Sequence, residues 1–286
     1  MKKNSKIQVK DVSFSYTNRP FLEGITFEVE SGEIFGFLGP SGAGKSTLQK
    51  ILTGIVKKYE GEAIVNGQST KKITDSFYEK IGVDFEFTSL YEKMTAIQNL
   101  KFFASLYQNK TRDPEELLER VGLLGDKDKK VSEFSKGMKS RLNFVKALLH
   151  DPDILFLDEP TSGLDPTNSR IMKDLILEEK KKGKTIIITT HNMQDATELC
   201  DRVAFIVDGK VKALDNPHHM IMEKGAVKVN YTYFEQGEKQ GECLIHEISK
   251  DSKLQRLIRE NKVTSIHSSE PTLNDIFIEI TGRKLA

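Results

Sequence analysis

The sequence predicts an α/β fold with a mostly parallel sheet and flanking helices, and three short runs carry that expectation. Ile34 to Leu38, Ile154 to Leu157 and Thr185 to Thr190 are rich in aliphatic, aromatic or β-branched residues and do not alternate, the pattern of strands buried on both faces. Each run ends in residues that carry chemistry: a glycine-rich stretch from Gly39, the carboxylates Asp158 and Glu159, and His191. In open α/β sheets the carboxyl ends of the strands are where ligands bind.

The remaining elements follow in order. Ile7 to Tyr16 and Phe21 to Glu30 alternate as antiparallel strands do, giving an N-terminal antiparallel β subdomain. Met94 to Tyr107 reads as an amphipathic helix opened by the capping box Thr95-x-x-Gln98, and Asp113-Pro114 opens another with Asp at the N-cap and Pro at the first helical position. With a helical stretch at Leu142 to His150 they make a helical subdomain over about 87–150. Lys180, Lys181 and Lys182 before Gly183 read as a solvated helix end that complements the helix dipole. Near Asn216-Pro217 the pattern changes to a small α+β appendage. Residues 226–233 alternate like an edge strand, 251–261 read as a short helix and 262–268 as a further strand. A terminal helix then buries Leu273, Ile276, Phe277 and Ile280 at helical spacing. The division expected is a nucleotide-binding domain over 1–215 and the appendage over 216–286.

Gly39, Pro40, Ser41, Gly42, Ala43, Gly44, Lys45 and Ser46 match GxxxxGK(S/T), and Thr47 leads on into the helix-like stretch to Leu52. The glycines let successive backbone N–H groups turn inward around a β-phosphate, Lys45 reaches the β and γ oxygens, and the Ser46 hydroxyl ligates Mg²⁺. The helix that follows offers its positive end. These residues are expected to bind a nucleoside triphosphate. Asp158 can hold the Mg²⁺ directly or through a water, and Glu159 is placed to orient and deprotonate the water that attacks the γ-phosphorus.

Three further segments narrow the reading. Phe134-Ser-Lys-Gly-Met-Lys-Ser-Arg141 lies upstream of the carboxylate strand, Pro160-Thr-Ser-Gly-Leu-Asp-Pro166 follows it, and His191 closes the strand after that. In this order the segments resemble the Walker A loop, signature loop, Walker B strand, D-loop and switch histidine of the ATP-binding cassette (ABC) ATPases, over roughly residues 6–215. The resemblance implies that Ser135 and Gly137 serve the ATP held by a second cassette, so that a head-to-tail dimer, homodimeric or with a sister chain, completes two half-sites. It implies that Asp165 runs along the dimer contact, that His191 bonds the γ-phosphate and the attacking water, and that Tyr16 stacks on adenine.

Two departures from the family pattern stand out. The signature reads Ser-Lys-Gly-Met where Ser-Gly-Gly-Gln is commonest, a variant similar to those of cassettes that partner ABC-2-type membrane subunits. Glu86 stands where the family's Q-loop has glutamine, as in cassettes resembling bacteriocin and peptide-antibiotic exporters. A carboxylate there adds negative charge beside a triphosphate, which Mg²⁺ must offset.

Composition restricts the partners. Lys and Arg number 43 against 42 Asp and Glu, a net charge of +1 that gives no field for holding nucleic acid. Mean hydropathy is −0.42, no window approaches a bilayer span, and the lysine-containing start lacks an apolar region behind it. Cys200 and Cys243 are few and far apart, which fits a reducing cytoplasm and offers no metal spacing. The expectation is an ATP-hydrolysing subunit at the cytoplasmic face of the cell membrane, working with separate transmembrane permease subunits in an exporter. Other cassette classes fit less well. Glu159 and His191 are both present, unlike in a non-catalytic cassette, and roughly 90 residues between Lys45 and Ser135 leave no room for the coiled coil of a DNA-repair cassette.

Overall fold

The structure, a computed structural model, describes residues 5–17, 19–85, 89–224 and 228–283, and the chain forms two compact units that divide between Leu214 and Asp215. The first unit begins with β1 (Ser5–Phe14), β2 (Leu22–Glu30), β3 (Ile34–Leu38), α1 (Lys45–Leu52), β4 (Glu60–Val65), β5 (Gln68–Ser69), α2 (Asp75–Tyr78) and β6 (Ile81–Asp84). Three helices follow, α3 (Ala96–Ala104), α4 (Pro114–Arg120) and α5 (Lys136–Leu148). The chain then returns to the core with β7 (Ile154–Asp158), α6 (Pro166–Lys181), β8 (Thr185–Thr190), α7 (Met193–Leu199), β9 (Arg202–Val207) and β10 (Lys210–Asp215).

Strands order as β10-β9-β3-β8-β7-β6 in one sheet, with β3, β6, β7, β8 and β9 parallel. Every residue of β3 and β8 is buried, as the apolar runs require of strands covered on both faces. The register sets Leu38 opposite Thr190 and Asp158 opposite Thr189, so β3, β8 and β7 end level with one another. The N-terminal strands pair antiparallel in the order β2-β1-β4-β5, as their alternation predicts. Their inward residues share one core with the parallel sheet, where Phe37 packs 5.3 Å from Phe27 and 5.6 Å from Phe35 between ring centroids.

The caps read from the sequence are present. Thr95 and Gln98 form the capping box of α3, and Asp113 accepts the Glu115 N–H ahead of Pro114. The helix after the signature segment differs from the expectation, since Ser135 caps it and α5 starts at Lys136 rather than Leu142 and ends short of His150. Periodicity marked only the buried residues from Leu142 onward, whereas a serine hydroxyl accepting the Met138 N–H at 3.2 Å fixes the true start. The lysines at the end of α6 are also more engaged than a solvated end suggests, with Lys180 2.5 Å from Asp201 and Lys182 2.7 Å from Glu179.

The second unit holds α8 (Pro217–Lys224), β11 (Lys228–Phe234), β12 (Glu238–Leu244), α9 (Ser252–Arg259), β13 (Val263–Ser269) and α10 (Leu273–Thr281). The segment expected as an edge strand, of which 226 and 227 lie outside the described residues, is the central strand in the order β12-β11-β13. Alternation reports which face is buried, here Tyr231 and Tyr233 against Leu254 and Leu257, and says nothing about lateral position. Leu273, Ile276 and Phe277 of α10 are buried as expected, but Ile280 is 41% exposed, because it lies in the last turn before the left-handed Gly282 ends the helix. The strand β12 and helix α8 were not anticipated.

Removal of the Phe37 ring should test how far the two sheets share a core. Phe37→Ala is expected to lower unfolding free energy by about 3–5 kcal/mol in denaturant titration; a loss below 1 kcal/mol would show that the three rings do not pack as described.

Candidate functional site

The loop between β3 and α1 is shaped by close approach. A Cβ at Gly39 would lie 2.0 Å from the Ile206 carbonyl oxygen, and Gly44 combines φ +109° with a Cβ position 2.5 Å from Leu22 Cδ2, so neither tolerates a side chain. Ser41 to Thr47 line a cavity of about 300 Å³ together with Phe21, Asp158, Glu159, Ser162 and His191. The Lys45 ammonium donates to the carbonyls of Gly39 at 2.7 Å and Pro40 at 3.0 Å. Burial lowers its pKa from the usual lysine value, against the opposing pull of Glu159 and Asp158.

The carboxylates come from the end of β7. Ser46 Oγ lies 3.5 Å from Asp158 Oδ2, and the Thr189 hydroxyl donates to the other oxygen of Asp158. Among the described residues no group of three or more His, Cys, Asp or Glu side chains forms a metal cage. One hydroxyl and one carboxylate side by side nevertheless suit Mg²⁺, which takes few protein oxygens and completes its shell with water and phosphate. Glu159 has a left-handed backbone, φ +52°, a conformation that costs a non-glycine residue roughly 1–3 kcal/mol unless its surroundings impose it. Its N–H donates to the Thr189 carbonyl at 2.9 Å. Its carboxylate accepts the His191 N–H at 3.0 Å and the Thr190 hydroxyl at 3.2 Å, and lies 2.7 Å from His191 Nδ1, which calls for a proton on that nitrogen. The direct pairing of Glu159 with His191 does not follow from the sequence, which gives Glu159 a role toward the attacking water and His191 one toward the γ-phosphate and that water, with no contact between them.

Tyr16 stands beside the loop, 60% exposed, its ring edge-on to Phe14 and Phe21 and its hydroxyl 2.8 Å from Thr47 Oγ1. Ser135, Gly137 and Asp165 are not among the residues lining the cavity of the glycine-rich loop. Ser135 caps α5, Gly137 approaches Leu164 so closely that a Cβ would sit 3.3 Å from Leu164 Cδ2, and Asp165 caps α6 by accepting the Thr167 and Asn168 N–H groups at 3.1 Å. Lys136 lies along Gly163 of its own chain, 3.6 Å from where a Cβ would stand. Glu86 lies outside the described residues.

Sequence reasoning missed Phe21, Ser162, Thr189 and Thr190, since nothing in their local pattern separates them from ordinary strand and turn residues. It also missed a second cavity of about 350 Å³ that shares Asp158, Glu159 and Ser162 with the first and extends to Lys136, Asn143 and Asp84. Asp84 is buried and accepts from the Asn143 amide. Desolvation pushes its carboxyl up to about 7, with the nearby Lys146 charge and the Asn143 bond opposing.

That shift has a definite sign. The folded state keeps the Asp84 proton up to about pH 7, while the unfolded chain releases it near pH 4, so stability contributed by the protonated acid is lost as pH rises through that window. Asp84→Asn keeps the acceptor for Asn143 and should gain about 3 kcal/mol relative to the parent between pH 5 and pH 8 in denaturant titrations. A pH-independent difference would contradict the assignment.

Comparison with known proteins gives three findings. The family model described as ABC transporter matches residues 22–162. The fluoroquinolones export ATP-binding protein of Mycobacterium tuberculosis is 46% identical over 283 residues, 98% of this chain and 94% of that protein, and the Nod factor export ATP-binding protein I of Rhizobium meliloti is 34% identical over 297 residues, 98% and 89%. A solved ATP-binding subunit of an ABC transporter superposes with a TM-score of 0.70 at 31% identity, covering 77% of this chain and 93% of that one.

Proposed function

The chain belongs to the ABC transporter family of ATP-binding cassettes, and from that premise we propose that it hydrolyses ATP to drive an exporter through ATP-dependent closure of a cassette dimer. The observation that carries the proposal is the cluster at the ends of β3, β7 and β8, where Lys45, Ser46, Asp158, Glu159 and His191 face one cavity. The loop N–H groups of Ser41 to Ser46 and the Lys45 ammonium hold the triphosphate. Ser46 and Asp158 hold Mg²⁺, which when bound offsets the charge of the β- and γ-phosphates. Glu159, kept in place by His191 and Thr190, accepts a proton from the water that attacks the γ-phosphorus, while His191 bonds the γ-phosphate. Tyr16 supplies a ring for adenine, and Glu86 stands at the position that in the family touches the metal and the lytic water.

Ser135 and Gly137 lie outside the cavity of their own loop, which supports the reading that they and Asp165 serve a second cassette. The exposed N-terminal end of α5 would then meet the partner's γ-phosphate. Each ATP is bound by one loop and one opposing signature, and loss of the γ-phosphate removes the contacts that favour the closed state. Among the described residues no helix is long and apolar enough to cross a membrane, so separate permease subunits at the cytoplasmic face would carry the cargo. Tyr91 and Phe102, whose rings meet at 5.1 Å, remain exposed with Leu106 on the helical part, an apolar surface suited to such a partner. Export is favoured over uptake by the names of the relatives and by the signature variant. The cassette is assigned to 1–215, with its helical subdomain over about 87–150, and the α+β appendage to 216–286.

Two variants test the mechanism. Lys45→Ala should abolish measurable nucleotide binding in calorimetry. Glu159→Gln should retain binding, lower turnover by about 10²–10⁴-fold and accumulate an ATP-bound dimer in size-exclusion chromatography; hydrolysis at the parent rate would refute the role of Glu159.

A further inference from the structure

A left-handed, non-glycine residue persists only where its surroundings impose that conformation, and at Glu159 those surroundings reach beyond the nucleotide cavity. The turn after it is closed by the Ser162 N–H donating to the Glu159 carbonyl at 3.0 Å. Within that turn the Thr161 hydroxyl donates to Asp195 Oδ2 at 2.5 Å. Asp195 is on α7, only 6% exposed, and its other oxygen lies 2.6 Å from the Lys173 ammonium of α6, itself 9% exposed. Lys173 also reaches Glu198 of α7 at 2.6 Å. The N-cap of α7 is Asn192, whose side chain accepts the Gln194 and Asp195 N–H groups, and the residue before that cap is His191. One chain of contacts, Thr161–Asp195–Lys173, whose two charged members are buried, therefore ties the turn that carries Glu159 to the helix that follows His191.

We propose that Thr161, Asp195 and Lys173 are positioning residues for hydrolysis, a clasp that holds the Glu159 turn against α7 so that the carboxylate stays aimed between His191 and the attacking water. None of the three lines the cavity of the glycine-rich loop, although Thr161 stands between Glu159 and Ser162, which do. Asp195 is held by both Thr161 and Lys173, so removing the Thr161 hydroxyl leaves one oxygen of this buried carboxylate without its partner, and the network favours one arrangement of the turn. The inference rests on the role proposed for Glu159.

Thr161→Val and Asp195→Asn on the full chain test it through steady-state ATPase kinetics, nucleotide binding by calorimetry, and thermal melting. The expected result is a fall in kcat of about 100-fold, the scale of a small misplacement of a catalytic group, with the ATP dissociation constant changed less than about 3-fold. Thr161→Ser, which keeps the hydroxyl, should restore turnover to near the parent value. In a Glu159→Gln background the same substitutions should add almost no further loss, because groups that act as a unit are non-additive. Unchanged kcat in both variants would overturn the clasp. So would a loss of ATP affinity and melting temperature in step with kcat, or losses that multiply on Glu159→Gln. If Glu159→Gln alone hydrolysed at the parent rate, the reading of Glu159 would fail instead, so the two failures are distinguishable.

Discussion

The position of β8 between β3 and β7 governs the rest of the site, because parallel pairing makes the three strands end together. Its backbone holds both neighbours in register, and its terminal residues then act twice. The Thr189 carbonyl receives the Glu159 N–H, and the Thr189 and Thr190 hydroxyls donate to Asp158 and Glu159. A pair of adjacent carboxylates facing one lysine repels itself unless donors surround it, and β8 with His191 supplies them. Shifting that strand by one residue would turn its hydroxyls to the opposite face and leave both carboxylates without these partners.

Charge and conformation are thus coupled at the end of β7. Lys45 is partly withdrawn from water and would sooner lose its proton, yet Asp158 and Glu159 favour the ammonium form. Glu159 adopts a backbone that disfavours side chains, yet its carboxylate accepts from His191 and Thr190. Each unfavourable feature is stabilised by a neighbour in the same cluster, the kind of arrangement that preorganises charge in a site. The second cavity extends this region to Asp84, whose raised pKa arises mainly from burial.

Much of this was legible in the chain. The three buried strands, the antiparallel N-terminal pair and the caps at Thr95 and Asp113 could be read because local patterns, apolar runs, alternation and capping residues, have local causes. The start of α5 and the place of β11 were misjudged for the complementary reason. Periodicity marks the face that is buried, but a cap bond such as Ser135 to Met138 and the neighbours of a strand are set by atoms the pattern does not contain.

By itself the sequence determined the inventory: a glycine-rich loop that can cradle phosphate, a lysine and a serine behind it, two carboxylates and a histidine at strand ends, and a signature-like segment. It could do so because backbone freedom, charge and hydrogen-bonding capacity belong to residue types and their spacing. Only the tertiary structure decided that Glu159 and His191 touch, that Phe21 lines the cavity, and that Thr161 reaches Asp195 and, through it, Lys173. Those contacts join residues far apart in the chain, and hydrogen bonds act over about 3 Å, so only strand order and helix packing can bring such groups within reach.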